Sequence, residues 1–524
     1  MSARTAPAWI AVGFLFVAAM GVVLGPLLPV DETRYLAVAW EMWLSGDYLV
    51  PTKNFALYTH KPPLLFWLIN AVWSFTGVSE IAARLVAPVG AALGVWLTAR
   101  LATRLWPGDP GIGTRAALAL SGSIAFAVAG GLTMFDTLLA LTVVAAMTAL
   151  VPAARTGSYR WWALAGVAIG AGVLAKGPVV LVHVLPAMIA VPFWAGQESA
   201  WGARALALRI GVALLTALAC VSLWLVPAIV SGGPEYRDAV LWTQSAGRVS
   251  DSFAHARPWW FYAALLPLLL FPWVLIPAIW RAGAKVRWRE PGLRLAAVWG
   301  VCALVLFSFI SGKQVHYLIP ELPAAALVVA RLTRDLSFRP ILPALALIAV
   351  AVAAIAASAG GIAMGEVERL LHPASMLLAF AFLLLAVCWT ALQTGRLAGG
   401  AVLGLGAVLS TNLLIGLTDT ARAYDTHAVS RLIVPYEDGG IATYGQVYHA
   451  EFNFAGRLRE PVATPANAAA LDVWMAAHPE GVIVSRPDRD SPPWSPRETA
   501  LFRNATYGIW HVEDARSSDT EVSS

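Results

Sequence analysis

The 524-residue chain is short of charge: only 13% of it is Asp, Glu, Lys or Arg, while 59% is hydrophobic. Soluble domains carry about 25% charged residues. A globule of this size could not cover its surface with so few, which excludes a soluble enzyme, a disordered chain and a DNA-binding factor. Cysteine is scarce too. Cys220, Cys302 and Cys388 each lie in an apolar run without metal spacing, so they read as small hydrophobes. Walker A and GxGxxG motifs, long-period repeats and low-complexity tracts are missing, so no nucleotide cofactor is expected. The 36 Lys and Arg exceed the 31 Asp and Glu by only +5, too little for a nucleic-acid surface.

What is present points to an all-α polytopic membrane protein. Its 23 Trp suit membrane interfaces. A spanning helix needs about 20 apolar residues. Segments of that kind run over 8–29, 80–106, 114–131, 133–152, 160–176, 178–196, 205–230, 258–281, 292–311, 315–333, 340–362, 373–394 and 398–418, about thirteen spans. The run after Arg4 exceeds the apolar core of a signal peptide, about 7–15 residues, and is expected to stay as the first span. Basic residues then alternate with acids along the chain. Arg100, Arg104, Arg115, Arg155, Arg160, Arg204, Arg209, Arg281, Lys285, Arg331, Arg334 and Arg396 fall in one set of loops. Asp31, Glu32, Glu41, Asp47, Glu235, Asp238, Asp251, Glu366 and Glu368 fall in the other, at 31–79, 231–257 and 363–372. Basic loops stay cytoplasmic, so this alternation predicts a cytoplasmic N-terminus. An odd number of spans then leaves residues 420–524 outside. Their charges, Pro and short runs such as Gly481–Ser485 predict a small α/β extracytoplasmic domain after a transmembrane domain over 1–419.

Polar groups beside the bilayer mark function. Asp31 and Glu32 follow the first span, where acids serve equally as a helix start or as catalytic groups. Tyr58-Thr59-His60-Lys61-Pro62-Pro63 holds a Lys and a His near the surface, suited to a phosphate or to lipid headgroups. Asp136, next to Gly130-Gly131, is an N-cap or needs a polar partner. Lys176, before Gly177-Pro178, closes a helix or meets substrate. His255-Ala256-Arg257-Pro258-Trp259-Trp260 and Ser311-Gly312-Lys313 add an Arg fork and another ammonium. Cations beside acids on one side suit an anionic lipid-linked donor and an acceptor needing deprotonation.

The ordered set Asp-Glu-Thr-Arg-Tyr (31–35), Lys-Pro-Pro-Leu-Leu-Phe-Trp (61–67), Phe-Asp (135–136), Ala-Lys-Gly-Pro (175–178), His-Ala-Arg-Pro-Trp-Trp-Phe-Tyr (255–262) and Ser-Gly-Lys (311–313) resembles the integral-membrane GT-C glycosyltransferases. The nearest branch is the aminoarabinose lipid A transferases, related to the protein O-mannosyltransferases. The resemblance spans roughly residues 10 to 330. It implies inverting transfer of one sugar from a polyprenyl phosphate to a lipid A, glycolipid or glycan acceptor, on the periplasmic face of a bacterial inner membrane. By resemblance, Asp31 matches a general base or acceptor-positioning acid and Asp136 a second acid of the centre, with Glu32 beside them. Lys61, Arg257, Lys313 and Tyr317 match positions near the donor phosphate. Tyr35 and Tyr58 match pocket aromatics; Arg34 and Lys176 lie among them as substrate contacts. Members of the family often carry Glu where His60 stands, joining a His in holding a divalent ion. Here His60 and His255 are the candidate ligands of Zn²⁺ or Mg²⁺; otherwise His60 only hydrogen-bonds the phosphate. Two rival readings stand beside this one: the same transfer to a protein Ser or Thr, and a lipid or solute transporter with the acids as coupling sites.

Overall fold

The computed structural model describes residues 5–196, 201–241, 256–360, 371 and 373–515. Among these, nine helices are long and apolar enough to cross a membrane, or ten if a bent pair is one span. The expected count of about thirteen is not reproduced. Gly122 and Ser123 break 112–130 into Ile112–Ser121 and Ile124–Gly130, bent by 72°. The segment 178–196 becomes Val180–Ile189 and Val191–Trp194, broken at Ala190 with Pro192 in the first turn of the second helix. The segment 258–281 becomes Phe261–Leu269, a 3₁₀ turn at Trp273–Leu275 and Pro277–Lys285. A proline inside a helix removes a hydrogen bond and crowds the preceding turn, so apolar length alone overcounts spans.

The most buried span is Phe135–Thr156, whose Val143, Val144, Met147 and Leu150 sit in the largest apolar cluster. Small residues let its neighbours approach. A Cβ on Gly166 would stand 2.3 Å from the Ala213 carbonyl oxygen, so the helices Tyr159–Lys176 and Ala203–Asp238 meet backbone to backbone there. Between membrane helices, where apolar burial gives no drive, such close packing supplies the attraction. At one end of the bundle the basic residues find local partners. The Arg155 guanidinium donates to the Arg104 carbonyl at 2.9 Å, and Arg331 forks onto Glu290 at 2.7 Å.

The other end carries an amphipathic helix, Asp31–Ser45, a hairpin of β1 (Thr52–Lys53) and β2 (Ala56–Leu57), and the short apolar helix Leu64–Thr76. Asn54 and Phe55 turn the hairpin at positive φ, 53° and 60°. The buried Glu41 carboxylate accepts from the Thr52 hydroxyl at 2.7 Å and from the Asn54 and Phe55 amides at 2.7 and 2.9 Å, fixing that turn.

Residues beyond 419 form a four-stranded sheet of β3 (Ile441–Thr443), β4 (Val482–Ser485), β5 (Glu498–Phe502) and β6 (Ala505–His511). The order is β3-β4-β6-β5; β3 runs parallel to β4 and the other pairs are antiparallel. Every residue of β4 is buried. Val482 and Val484 face Val429 and Ile433 of the helix Thr426–Ile433, while Ile483 faces Leu471 near Trp474 of the helix Ala468–Ala477. This sheet lies against the hairpin end of the bundle. The Trp40 indole donates to the Leu458 carbonyl at 2.8 Å, Trp73 stacks on Phe454 at 5.6 Å, and the Asn54 amide donates to the Val462 carbonyl at 2.8 Å.

Candidate active site

The site is built where the Asp31–Ser45 helix meets the starts of two spans. Asp31 is the first residue of its helix. The N-cap is Val30, and no side chain caps it. The carboxylate is therefore not spent on the backbone. It pairs with Arg34 and accepts from the Tyr35 hydroxyl at 3.1 Å, with its side chain still 44% exposed. Burial, and then the Asp31 charge, push the Tyr35 phenol well above its usual range. Tyr35 thus stays protonated and keeps donating to Asp31. Its ring meets Phe135 edge-on at 4.7 Å and Phe66 at 6.4 Å, so Asp31 is oriented by a rigid aromatic wall.

Glu32 faces the other way and is buried. One carboxylate oxygen accepts from the Thr133 amide at 2.7 Å; the other accepts from the Leu28 amide at 3.0 Å and lies 3.6 Å from Arg84. The sequence placed Glu32 with the catalytic acids. Here both its oxygens are engaged, and it ties the Asp31 helix to the loop that precedes Asp136. Arg84 anchors the same tie by donating to the Gly25 and Pro26 carbonyls at 3.0 and 2.8 Å.

Asp136 opens the buried span Phe135–Thr156, whose N-cap is Met134 without side-chain capping. Its carboxylate ion-pairs with Lys176, the last residue of the helix Tyr159–Lys176. Both side chains are largely buried, at 3% and 9% exposure. Neither local reading, an N-cap for Asp136 or a helix C-terminus closed by Lys176, accounts for the pair: each answers the other across forty residues. The Lys176 ammonium also lies over the Tyr317 ring at 4.9 Å, and the Lys61 ammonium over the Phe135 ring at 5.6 Å. Tyr58 is buried beside this wall, 5.5 Å from the His60 ring and 6.4 Å from Phe66.

His316 is the group the sequence reading left out of the site. It lies within electrostatic reach of Asp136, Lys176, Lys61 and Asp31 together, and its ring meets Tyr317 at 5.1 Å. Its signal was present in His316-Tyr317, three residues after the Ser-Gly-Lys turn, but no spacing gave it a role there.

That turn also positions Arg257. Ala256 and Gly312 form an isolated antiparallel bridge, and the Arg257 amide donates to the Ser311 carbonyl at 3.1 Å. The buried Lys313 ammonium donates to the Arg257 and Ile310 carbonyls at 3.0 and 2.5 Å. Lys313 therefore clamps the strand that presents Arg257, whereas the Arg257 side chain itself is exposed. His255 lies outside the described residues. Among the described residues no three of His, Cys, Asp and Glu gather as a ligand set, so they do not by themselves make a metal site.

Residues 60–226 match a family model described as dolichyl-phosphate-mannose-protein mannosyltransferase. The undecaprenyl phosphate-alpha-4-amino-4-deoxy-L-arabinose arabinosyl transferase 1 of Pseudomonas fluorescens is 33% identical over 315 residues, covering 57% of this chain and 53% of that protein. A Pseudomonas aeruginosa arabinosyl transferase of the same description is 32% identical over 305 residues, covering 57% and 54%. The chain thus spans about half the length of the curated relatives it matches. In fold it is similar to the crystal structure of ArnT from Cupriavidus metallidurans bound to undecaprenyl phosphate, with TM-score 0.74 and 21% identity over 96% of this chain and 97% of that one. The resemblance to the GT-C glycosyltransferases, read from ordered motifs, is borne out.

Proposed function

We propose that this multi-span membrane protein moves one sugar from a polyprenyl phosphate to an envelope acceptor, lipid A or another glycolipid or glycan, on the periplasmic face of a bacterial inner membrane. The observation that carries the reading is the meeting of an exposed, oriented carboxylate, Asp31, with Lys61, His316 and the Asp136–Lys176 pair at one end of the bundle. The fold shared with an undecaprenyl-phosphate-bound ArnT supports it, as do arabinosyl transferase relatives over half their length.

The chemistry is a single displacement. The acceptor oxygen bonds to the anomeric carbon as the bond from that carbon to the phosphate oxygen breaks, inverting the centre. Polyprenyl phosphate leaves with the electron pair. The acceptor's proton goes to Asp31, for which a positioned carboxylate is worth about 10²–10⁴-fold. Lys61 and Arg257 neutralise the leaving phosphate by charge-assisted hydrogen bonds. Lys176 pairs with Asp136 beside them, so the floor of the site sets a cation against an acid.

Reconstitution into proteoliposomes with a polyprenyl-phosphate sugar and envelope glycolipid tests this. Glycosylated acceptor is the expected product. Movement of the donor across the bilayer without any transfer would replace the reading with a transporter, and label on protein Ser or Thr would change the acceptor. Alkaline phosphatase fused after Ser524 is expected to be active; a cytoplasm-only reporter active there would reverse the orientation.

A further inference from the structure

The sheet beyond residue 419 carries a cavity of about 320 Å³ that the transfer chemistry above does not use. It opens between the loop after β3, the loop after β4 and the β5–β6 turn. Arg486, Arg489 and Arg503 line it together with His449, Tyr448 and Tyr507. Its one lining carboxylate is Glu451, which is buried and which burial pushes upward from its ordinary range. That acid is partly spent: it accepts from the His449 amide at 2.7 Å and stands 3.8 Å from Arg503. Asp488 forks onto Arg486 at 2.9 and 2.5 Å, and Arg489 makes no ion pair among the described residues. The cavity is therefore a site of net positive charge.

Two features say that its shape is built. Arg503 and Asn504 close the β5–β6 hairpin with both φ positive, at 51° and 57°. Asn accepts that backbone readily and Arg does not. Such strain is retained where it aims a side chain, and here it aims Arg503 at the cavity. The cavity is also fixed to the catalytic end. Asn453, which accepts from the Tyr448 hydroxyl at 2.5 Å, donates to Asn54 of the hairpin at 3.2 Å. His449 accordingly feels the charges of Lys53, Arg34 and Asp31.

We propose that this cavity binds the phosphate of a phosphorylated saccharide, the headgroup of the acceptor, and so holds the acceptor beside Asp31. The word acceptor rests on the transferase reading; the phosphosaccharide site does not. The Arg489 and Arg503 guanidinium forks, with the Asp488-paired Arg486 beside them, suit the dianionic terminal oxygens of a phosphomonoester better than a carboxylate. The Tyr448 and Tyr507 rings and the Gln446 amide offer a wall for sugar hydroxyls. A volume near the lower end of ligand pockets, about 300–1,000 Å³, admits one phosphosugar and leaves the remaining glycolipid outside. Val447, 75% exposed at the rim, is apolar surface for that remainder.

The full-length protein in nanodiscs, titrated with glucosamine 1-phosphate and separately with inorganic phosphate, tests the site without requiring turnover. Saturable binding of the phosphosugar is expected, tighter than that of phosphate, and weakened about tenfold or more by Arg489→Ala and by Arg503→Ala. Both positions are exposed, so unchanged thermal unfolding is expected, and Arg489→Lys should restore part of the binding. Equal affinity for phosphate and phosphosugar would reduce the cavity to a plain anion site and overturn the saccharide claim. Unchanged binding in both Ala variants would overturn the site itself. In the transfer assay, Arg489→Ala should raise KM for the acceptor and leave donor affinity intact. Normal acceptor KM in a variant that has lost the probe would overturn the acceptor assignment alone.

Discussion

Asp31 and Asp136 are both first-turn acids of helices at the same end of the molecule, yet they live in opposite conditions. Asp31 keeps 44% of its side chain open and is oriented by neighbours that leave it accessible. Asp136 is 3% exposed and closed by a lysine. The first can meet an incoming group and accept a proton. The second cannot be approached without parting an ion pair, so its work is to fix charge. Residue type is the same and both stand in a first helical turn; burial and partner decide the role.

Removing one partner of the buried pair is the strongest way to break this contrast. Leaving a buried charge alone typically costs about 3–5 kcal/mol. Lys176→Met and Asp136→Asn are each expected to lower stability by that order in detergent unfolding. The double variant should lose less than the two singles summed. Additive losses would mean the pair is not coupled.

Asp31→Asn comes next. Asp31 caps nothing, so the variant should fold normally and bind donor. Turnover should fall at least about 10²-fold, equivalent to about 2.7 kcal/mol of barrier. Single-turnover kinetics with bound donor checks this. Near-normal turnover would move the base elsewhere. Glu32→Gln sharpens the same point: it should lower the unfolding temperature, through the Thr133 and Arg84 ties, more than it lowers turnover per folded molecule.

Donor contacts are expected to be smaller. Lys61→Ala and Arg257→Ala should each weaken donor binding about tenfold, since hydrogen bonds to charged groups are worth roughly 1.5–3 kcal/mol. Lys313→Ala should act through the Arg257 strand and be less severe in combination with Arg257→Ala. Full donor affinity in both single variants would return these cations to lipid headgroups. Smallest is the effect at His60. With cations gathered at the phosphate position, chelation and His60→Ala are expected to change donor affinity by under about threefold, within the weakest of hydrogen-bond losses. One bound Zn²⁺ per chain by elemental analysis, lost in the variant, would instead make His60 a ligand.

Much of this was legible from residue order. The low charge and the apolar runs established a helical membrane fold, and the motifs around Asp31, Lys61, Asp136, Lys176 and Arg257 located one face. What stayed hidden was partnership. Glu32 looks like Asp31 in sequence, and only the Thr133 amide and Arg84 distinguish them. Asp136 and Lys176 each satisfied a local explanation, which concealed that they satisfy each other. Arg84 had no motif to mark it, and His316, noted beside Tyr317, had no spacing that gave it a role. The helix count failed for a related reason: the breaks at Ala190 and at Gly122-Ser123 interrupt apolar runs without altering their hydropathy.

The contact between Trp40 and the Leu458 carbonyl joins residues 418 positions apart. Trp73 likewise waits for Phe454 and Asn54 for Val462. A ribosome makes the Asp31–Ser45 helix 418 residues before the surface that covers it. At about 5–20 residues per second, that interval is on the order of 20–80 seconds. Throughout it, two tryptophans and a hairpin stand without the surface that covers them, so the cover over the Asp31 helix closes only after residues 454–462 have been made.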